Sequence, residues 1–329
     1  MIRFFPSAGE DREESKPSKR VLEIKDPYWE TESWNPLEVS ESIPPRIRFV
    51  DGVRRTEYRV NIFDGDRFAG EGIFLSLGAG VVEVDLSGVR PEYRLLLWKV
   101  ERFFVHNAEG VEIPPSWRLE TDGGLLEFKT VKSPIAEISE YGNLLMKKLE
   151  VSTFRETDDG ETPVVMDGPV KLKKFLPNVV YLVKEAKYFY LKGFEKYLFT
   201  LKRGYRTPFF LFEEGVKTLS DKGFIDRKVS KVGGYVRIGG DNSHGGFGDP
   251  LGGLARLEIP HGGDRNLSKK ILERGAAIAV FFANRSLRDA RSPQNLTTIA
   301  YLEKELRRRL GEYKVIRRMV GNLLLSLLG

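Results

Sequence analysis

The sequence predicts a mixed α/β protein, a β-sheet with helices packed on its faces. Three observations carry that expectation. From Ile47 to about Leu86, aliphatic and aromatic residues alternate or run together between Gly and Asp turns, as strands do. The last third of the chain instead repeats apolar residues at helical spacing, i, i+3, i+4 and i+7. Strands come first and helices interleave later, an order that suits a sheet covered by helices.

Residues 1–45 mix charges with prolines and hold Trp29 and Trp34. They read as an extended arm that ends at Pro44 and Pro45, ahead of a domain over 46–329. Core packing is the default for the two tryptophans, docking on a partner the alternative. "RIRFVDG", "EYRVNIFDG" and "GIFLSLGAGVVEVDL" read as strands. Asp64-Gly65 reads as a hairpin turn, because both residues tolerate positive φ. The stretch 133–156 sets Leu144, Leu145 and Leu149 at helical spacing, with Ser133 as a cap before Pro134. A polar turn at Asp159-Gly160 precedes the short strand "PVVMD", and "NVVYLV" and "RTPFFLF" are two more. Residues 233–253 are glycine-rich and read as a mobile loop region between strands. "LSKKILERGAAIAVFFAN" and "NLTTIAYLEKELRRRLGEYKVIRRMVGNLLLSLLG" are helical, and the final "NLLLSLLG" is too apolar for an unpacked tail.

At 329 residues, 41% apolar and 30% charged, the composition is that of an ordinary soluble protein. No apolar run approaches the roughly 20 residues that span a bilayer, and the start lacks a signal peptide's apolar stretch, so the expectation is cytoplasmic with no membrane. The absence of cysteine excludes disulfides, zinc–thiolate sites and cysteine nucleophiles. Heavy Lys, Arg and Glu usage without Cys suits a thermophile. A net charge of +6 admits a polyanionic partner, and three histidines make a His-rich metal site a poor candidate.

Asp-Gly occurs at Asp51, Asp64, Asp122, Asp159 and Asp167. Asp51 and Asp167 stand apart, because "IRFVD" and "PVVMD" are compact apolar strands that end directly in the acid. Loops beyond strand ends are where α/β sheets gather ligands. Glu150, on the helix before the strand of Asp167, is the best-placed companion. Three carboxylates suit Mg²⁺ or Mn²⁺, which take hard oxygen ligands. Spacing alone leaves turns and solvated acids as the commoner explanation.

The motifs add a resemblance. "RFVDGVRR" (48–55), "LLMKKLE" (144–150), "VVMDGPV" (164–170), "VVYLVKEAKYFYL" (179–191), "GYRTPFFLF" (204–212), "GLARLEIP" (253–260) and "DARSPQNLTTIAYLEKELRRRLG" (289–311) resemble, in order, those of the NurA nuclease family. The likeness implies an RNase H-like (Piwi-like) fold. It also implies a Mn²⁺- or Mg²⁺-dependent DNA nuclease, a single-strand endonuclease and 5′–3′ exonuclease. Such a protein forms a homodimer and works with a HerA-type hexameric translocase in DNA end resection and repair. Carried over, Asp51, Glu150 and Asp167 match the acidic metal ligands, with Asp51 bridging two ions. Many members supply a histidine from the C-terminal motif; here Asn295 stands at about that place, and Asn295, Asp289 or water would complete the site. The main rival is a catalytically silent RNase H-like module that binds DNA or scaffolds a complex.

Lys184 matches a family lysine, and a contact to the scissile phosphate weighs evenly with a solvated strand end. Arg206 faces DNA or pairs with a buried acid. Arg54 and Arg55 are modest candidates for phosphate contacts. Arg256 and Glu258 are better read as a structural ion pair, and the Arg307–Arg309 helix, with Glu303 and Glu305, as a solvated face.

Overall fold

Runs of β-branched and aromatic residues, punctuated by Gly and Asp, build one 14-stranded sheet. The computed structural model describes residues 2–6, 22–121, 124–172, 174–184, 193–220, 223–239, 252–284 and 295–327. In chain order the elements are β1 (Ile2–Pro6), β2 (Leu22–Asp26), β3 (Leu37–Glu38), β4 (Arg46–Asp64), β5 (Arg67–Asp85), β6 (Glu92–His106), β7 (Ser116–Thr121) and β8 (Gly124–Lys132). Then follow α1 (Ile138–Thr157), β9 (Val164–Asp167), β10 (Val179–Val183), α2 (Glu195–Thr200), β11 (Tyr205–Arg206), β12 (Phe210–Ser220), β13 (Gly223–Arg237) and β14 (Leu254–Pro260). Three helices close the chain: α3 (Arg265–Phe281), α4 (Thr297–Arg309) and α5 (Tyr313–Ser326).

The strand order is β2-β12-β13-β14-β10-β9-β4-β5-β6-β8-β7, with β1 added to β4, and β11 pairing with β13 and β3. At its centre β4, β5 and β6 are antiparallel neighbours, β9 runs parallel to β4, and β10 parallel to β9. Three antiparallel strands, a crossover through α1 and two parallel strands form the RNase H-like arrangement that the motif resemblance implies.

Strand periodicity sorts the side chains onto two faces. Phe49, Val165 and Leu182 join Ile271, Leu272, Ile299, Leu302 and Leu306 of α3 and α4 in the largest core cluster. Val50, Met166 and Tyr181 point the other way and pack with Phe154 of α1. Helix α4 lies close on the sheet because β5 presents glycine to it: a Cβ at Gly80 would stand 3.0 Å from Leu302 Cδ1 and 3.1 Å from Leu306 Cδ2. A third cluster gathers Ile316, Val320 and Leu324 of α5 with Phe4, Val60 and Ile62, so of the final apolar stretch Leu324 packs on the core, with Leu323 partly buried against it, while Leu325 and Leu327 are exposed. Trp29 and Trp34 are buried as well.

Several expectations need correction. Asp51-Gly52 is no turn: both residues lie inside β4, paired with Gly80 and Ala79 of β5. The segments around Asp51 and Asn61 are one 19-residue strand with a register shift at Thr56/Tyr58. Asp64-Gly65 does form the hairpin turn, with Gly65 at φ 60°. Helix α1 is capped by Glu137, whose side chain accepts from Ser139 N, while the Ser133 hydroxyl donates to Ile135 O. The C-terminal helical stretch breaks at Gly311 (φ 87°), giving two helices where periodicity read one. Strand β13 takes residues 233–237 of the glycine-rich region; residues 240–251 lie outside the described residues, as do Asp122, His244 and Asp289. Among the described residues, no helix is long and apolar enough to cross a membrane.

Candidate metal centre

Two parallel strands bring the first pair of acids together. Register between β4 and β9 runs Arg48 to Val164, Phe49 to Val165 and Val50 to Met166. Asp51 and Asp167 are the residues that follow the last of these pairs, both two residues beyond side chains on the α3/α4 face. Leu182 pairs with Asp167, so Lys184 emerges on the same face. Helix α4 crosses above and contributes Glu303. Asp51, Asp167 and Glu303 each place a carboxylate oxygen so that all three lie within 4.8 Å of one another.

Burial dominates the electrostatics. Asp51 is only 4% exposed, and desolvation pushes its carboxyl well above the usual carboxylate range. Asp167 raises it further, Lys184 opposes the rise, and Glu150 and Glu303 add to it. Lys184 lies 3.0 Å from Asp167 Oδ2 and 3.9 Å from Glu303 Oε1, and donates to Asn295 Oδ1 at 2.9 Å. Its burial would lower its pKa, but Asp167 and Asp51 prevail and hold the ammonium above its ordinary value.

Glu150 reaches the centre from the opposite side of the sheet. It sits on α1, is buried, and lies against the backbone of β4 where Gly52 has no side chain. Lys171 forms a close ion pair with Glu150 Oε2 and also donates to the Asp167 carbonyl at 2.5 Å. Burial raises the Glu150 carboxyl, with Lys171 opposing.

The donor set fits a hard divalent cation. Asp51 Oδ2 and Asp167 Oδ1 are buried with no hydrogen-bond partner among the described residues, an expensive condition that a cation would relieve.

Of the expected residues, the structure gathers Asp51, Asp167 and Lys184, with Glu150 behind Gly52 and Asn295 alongside. Asn295 accepts through its amide oxygen from Lys184, the lysine that also pairs with Asp167. Of the two readings of Arg206, the structure shows the partner of a buried acid and not a DNA-facing charge: the side chain is 2% exposed and paired with Glu30 at 2.8 Å and with Glu273. Arg54 donates to Ser139 O, and Arg55 to Glu57 and the carbonyls of Leu310 and Gly311, so both make internal contacts. Arg256 and Glu258 do form a buried pair, within a cluster completed by Lys231 and Glu214.

Glu303 was missed because the arginines after it suggested a solvated helix. Arg308 and Arg309 do pair with Glu305 on that outer face. A signal was present, however. Glu303 is four residues after Ile299 and three before Leu306, on the apolar stripe itself, where a carboxylate needs a reason.

No protein-family model matches the chain, and no curated protein matches it. Among solved structures it is similar to the crystal structure of the NurA nuclease from Sulfolobus solfataricus, at 15% identity, over 89% of this chain and 88% of that one, with a TM-score of 0.44.

Proposed function

We propose that the chain is a divalent-metal-dependent nuclease that hydrolyses DNA phosphodiesters, with Mn²⁺ or Mg²⁺ held by Asp51, Asp167 and Glu303. The observation that carries this reading is the convergence of those three carboxylates, two with an unpartnered buried oxygen, at the carboxyl end of the β4/β9 pair. The seven motifs that resemble, in order, those of NurA nucleases support it and favour DNA as the polymer. Once bound, the metal would polarise the phosphate and lower the pKa of the attacking water.

The protein's part is positional. β4 and β9 hold Asp51 and Asp167 together, and α4 brings a Glu303 oxygen within 4.8 Å of an oxygen of each. Lys184 lies 3.0 Å from Asp167 Oδ2 and sets one positive charge beside the space a phosphate would occupy. Glu150 adds negative charge from behind Gly52. Single-strand endonuclease and 5′–3′ exonuclease activity, a homodimer, and work with a HerA-type translocase in end resection belong to the same proposal, supported by the motif resemblance alone. So does the two-ion arrangement in which Glu150 is a ligand.

The test is cleavage of single-stranded DNA by the full chain with Mn²⁺, with EDTA, and by Asp51→Asn. Metal-dependent cutting that falls at least about 100-fold in Asp51→Asn is the expected result. Undiminished cutting by Asp51→Asn would overturn the assignment, and no cutting by wild type with any divalent ion would favour the silent DNA-binding module.

A further inference from the structure

One row of the sheet links the metal centre to an exposed aromatic surface. Asp51 of β4 pairs with Gly80 of β5, and Gly80 with Trp98 of β6. Directly opposed residues of neighbouring strands share a face, so Asp51 and Trp98 lie on the same side of the sheet, about 10 Å apart by strand spacing. Helix α4 lies between them, over Gly80. It sends Glu303 toward Asp51, and from its other flank it sends Tyr301 and Arg309 toward β6.

Of the four tryptophans, Trp29, Trp34 and Trp117 are buried, whereas Trp98 is 47% exposed. Arg309 stands over its ring, 5.1 Å from the centroid. Tyr93 of β6 and Tyr301 of α4, both exposed, meet with ring centroids 5.8 Å apart. Arg309 follows Tyr301 by about two helical turns, so the two aromatic stations stand roughly 12 Å apart along the α4–β6 seam. Only residues 103–106 of β6 pair with β8, so at Tyr93 and Trp98 β6 is the outermost strand among the described residues. Large rings gathered on one exposed seam mark a contact surface.

Charge identifies what the seam contacts. Lys304, Arg307, Arg308 and Arg309 follow Tyr301 along α4, and the one acid among them, Glu305, is paired by Arg308 at 3.2 Å and Arg309 at 2.6 Å. Four cations less one acid leave an excess of three positive charges. The acids of β6, Glu92 and Glu101, alternate onto the α1 side of the sheet. A polyanion suits such a surface, and one that offers flat rings for stacking is a single-stranded nucleic acid.

We infer that the α4–β6 seam binds single-stranded DNA, with bases stacked on Trp98 and on the Tyr93/Tyr301 pair and the α4 cations against its phosphates. The choice of DNA rests on the reading of the neighbouring centre as a DNA nuclease. The seam adds a grip on the strand across α4 from the three carboxylates, outside the centre itself.

The experiment is binding of fluorescein-labelled oligo(dT) by the full chain in EDTA, read by fluorescence anisotropy, with circular dichroism confirming that each variant is folded. Trp98→Ala and Tyr301→Ala should each weaken binding at least about fivefold. Trp98→Phe keeps a ring to stack on and should stay within about threefold of wild type. Oligo(dT) should also quench the tryptophan emission of wild type but not of Trp98→Phe, because the other three tryptophans are buried. A blunt duplex, whose bases already stack on one another, should bind equally well with or without the Trp98 ring. Oligo(dT) binding indifferent to Trp98→Ala, an equal loss on the duplex, or tighter Trp98-dependent binding of oligo(rU) would each overturn the inference. So would a dimer in sedimentation that Trp98→Ala dissociates with oligo(dT) affinity unchanged, since the seam would then join two copies of this chain. Failure here is distinguishable from failure of the nuclease reading. Trp98-dependent binding by a chain that cuts nothing with any divalent ion refutes the nuclease and keeps the seam; cutting by a chain whose binding ignores Trp98 does the reverse.

Discussion

Glu150 Oε1 lies so close to Gly52 that a Cβ built there would stand 2.6 Å from it and 2.9 Å from Glu150 Cγ. Glycine at this point of β4 is what admits a carboxylate from the α1 side of the sheet. Gly52→Ala should therefore displace Glu150 from Lys171 and cost about 1–3 kcal/mol, read by chemical denaturation. In a Glu150→Ala background the same change should cost much less, since the atoms it strikes are absent. Equal costs in the two backgrounds would show that the contact is unimportant.

Arg206 gives a second expectation. Its guanidinium meets Glu30 from the N-terminal arm and Glu273 from α3, and stacks over Phe209 at 4.0 Å. Arg206→Met leaves the buried Glu30 with only Lys269, at 3.1 Å, as a cationic partner, and about 3 kcal/mol of stability should be lost. The affinity of the molecules that remain folded for single-stranded DNA should not change. A stable variant with weakened DNA binding would restore the DNA-facing role.

The third concerns acid. Burial alone would raise the Glu258 carboxyl, but Lys231, Arg256 and the Val170 N–H outweigh it and hold it well below its ordinary 4.5. A carboxyl depressed in the folded state contributes stability that is complete above its unfolded value and declines as pH falls toward its folded one. Melting temperature should therefore drop steeply below about pH 4.5. In Glu258→Gln the protein should be weaker at neutral pH yet less sensitive to acid over that range. Parallel curves for the two proteins would rule out this group as a source of the dependence.

Much of the centre was legible in the sequence. Asp51 and Asp167 each follow an apolar run, and an acid that directly follows such a run marks a place where burial has to be compensated. The central strands were legible too, because alternation is a strong local signal. What escaped were features set by distance across the fold. Glu303 shares a helix with a run of arginines, and only the crossing of α4 over Gly78 and Gly80 decides which side faces inward. Nothing local to Arg206 tells that Glu30 and Glu273 await it. Gly52 resembled a turn residue because Asp-Gly carries the same letters whether the chain bends or lets another side chain past.

The length of β4 bears on how the centre can change. Asp51 sits in a strand paired with β5 from Arg46 to Asp64, and its neighbours are gripped by clusters on both faces. Such a strand cannot creep. The smallest slip available is one residue, which would turn Asp51 over to the α1 side and put Gly52 in its place. Position along this strand is thus quantised. Adjustments of a few tenths of an ångström must come from α4, which carries Glu303 and has no ladder of its own to hold it in register.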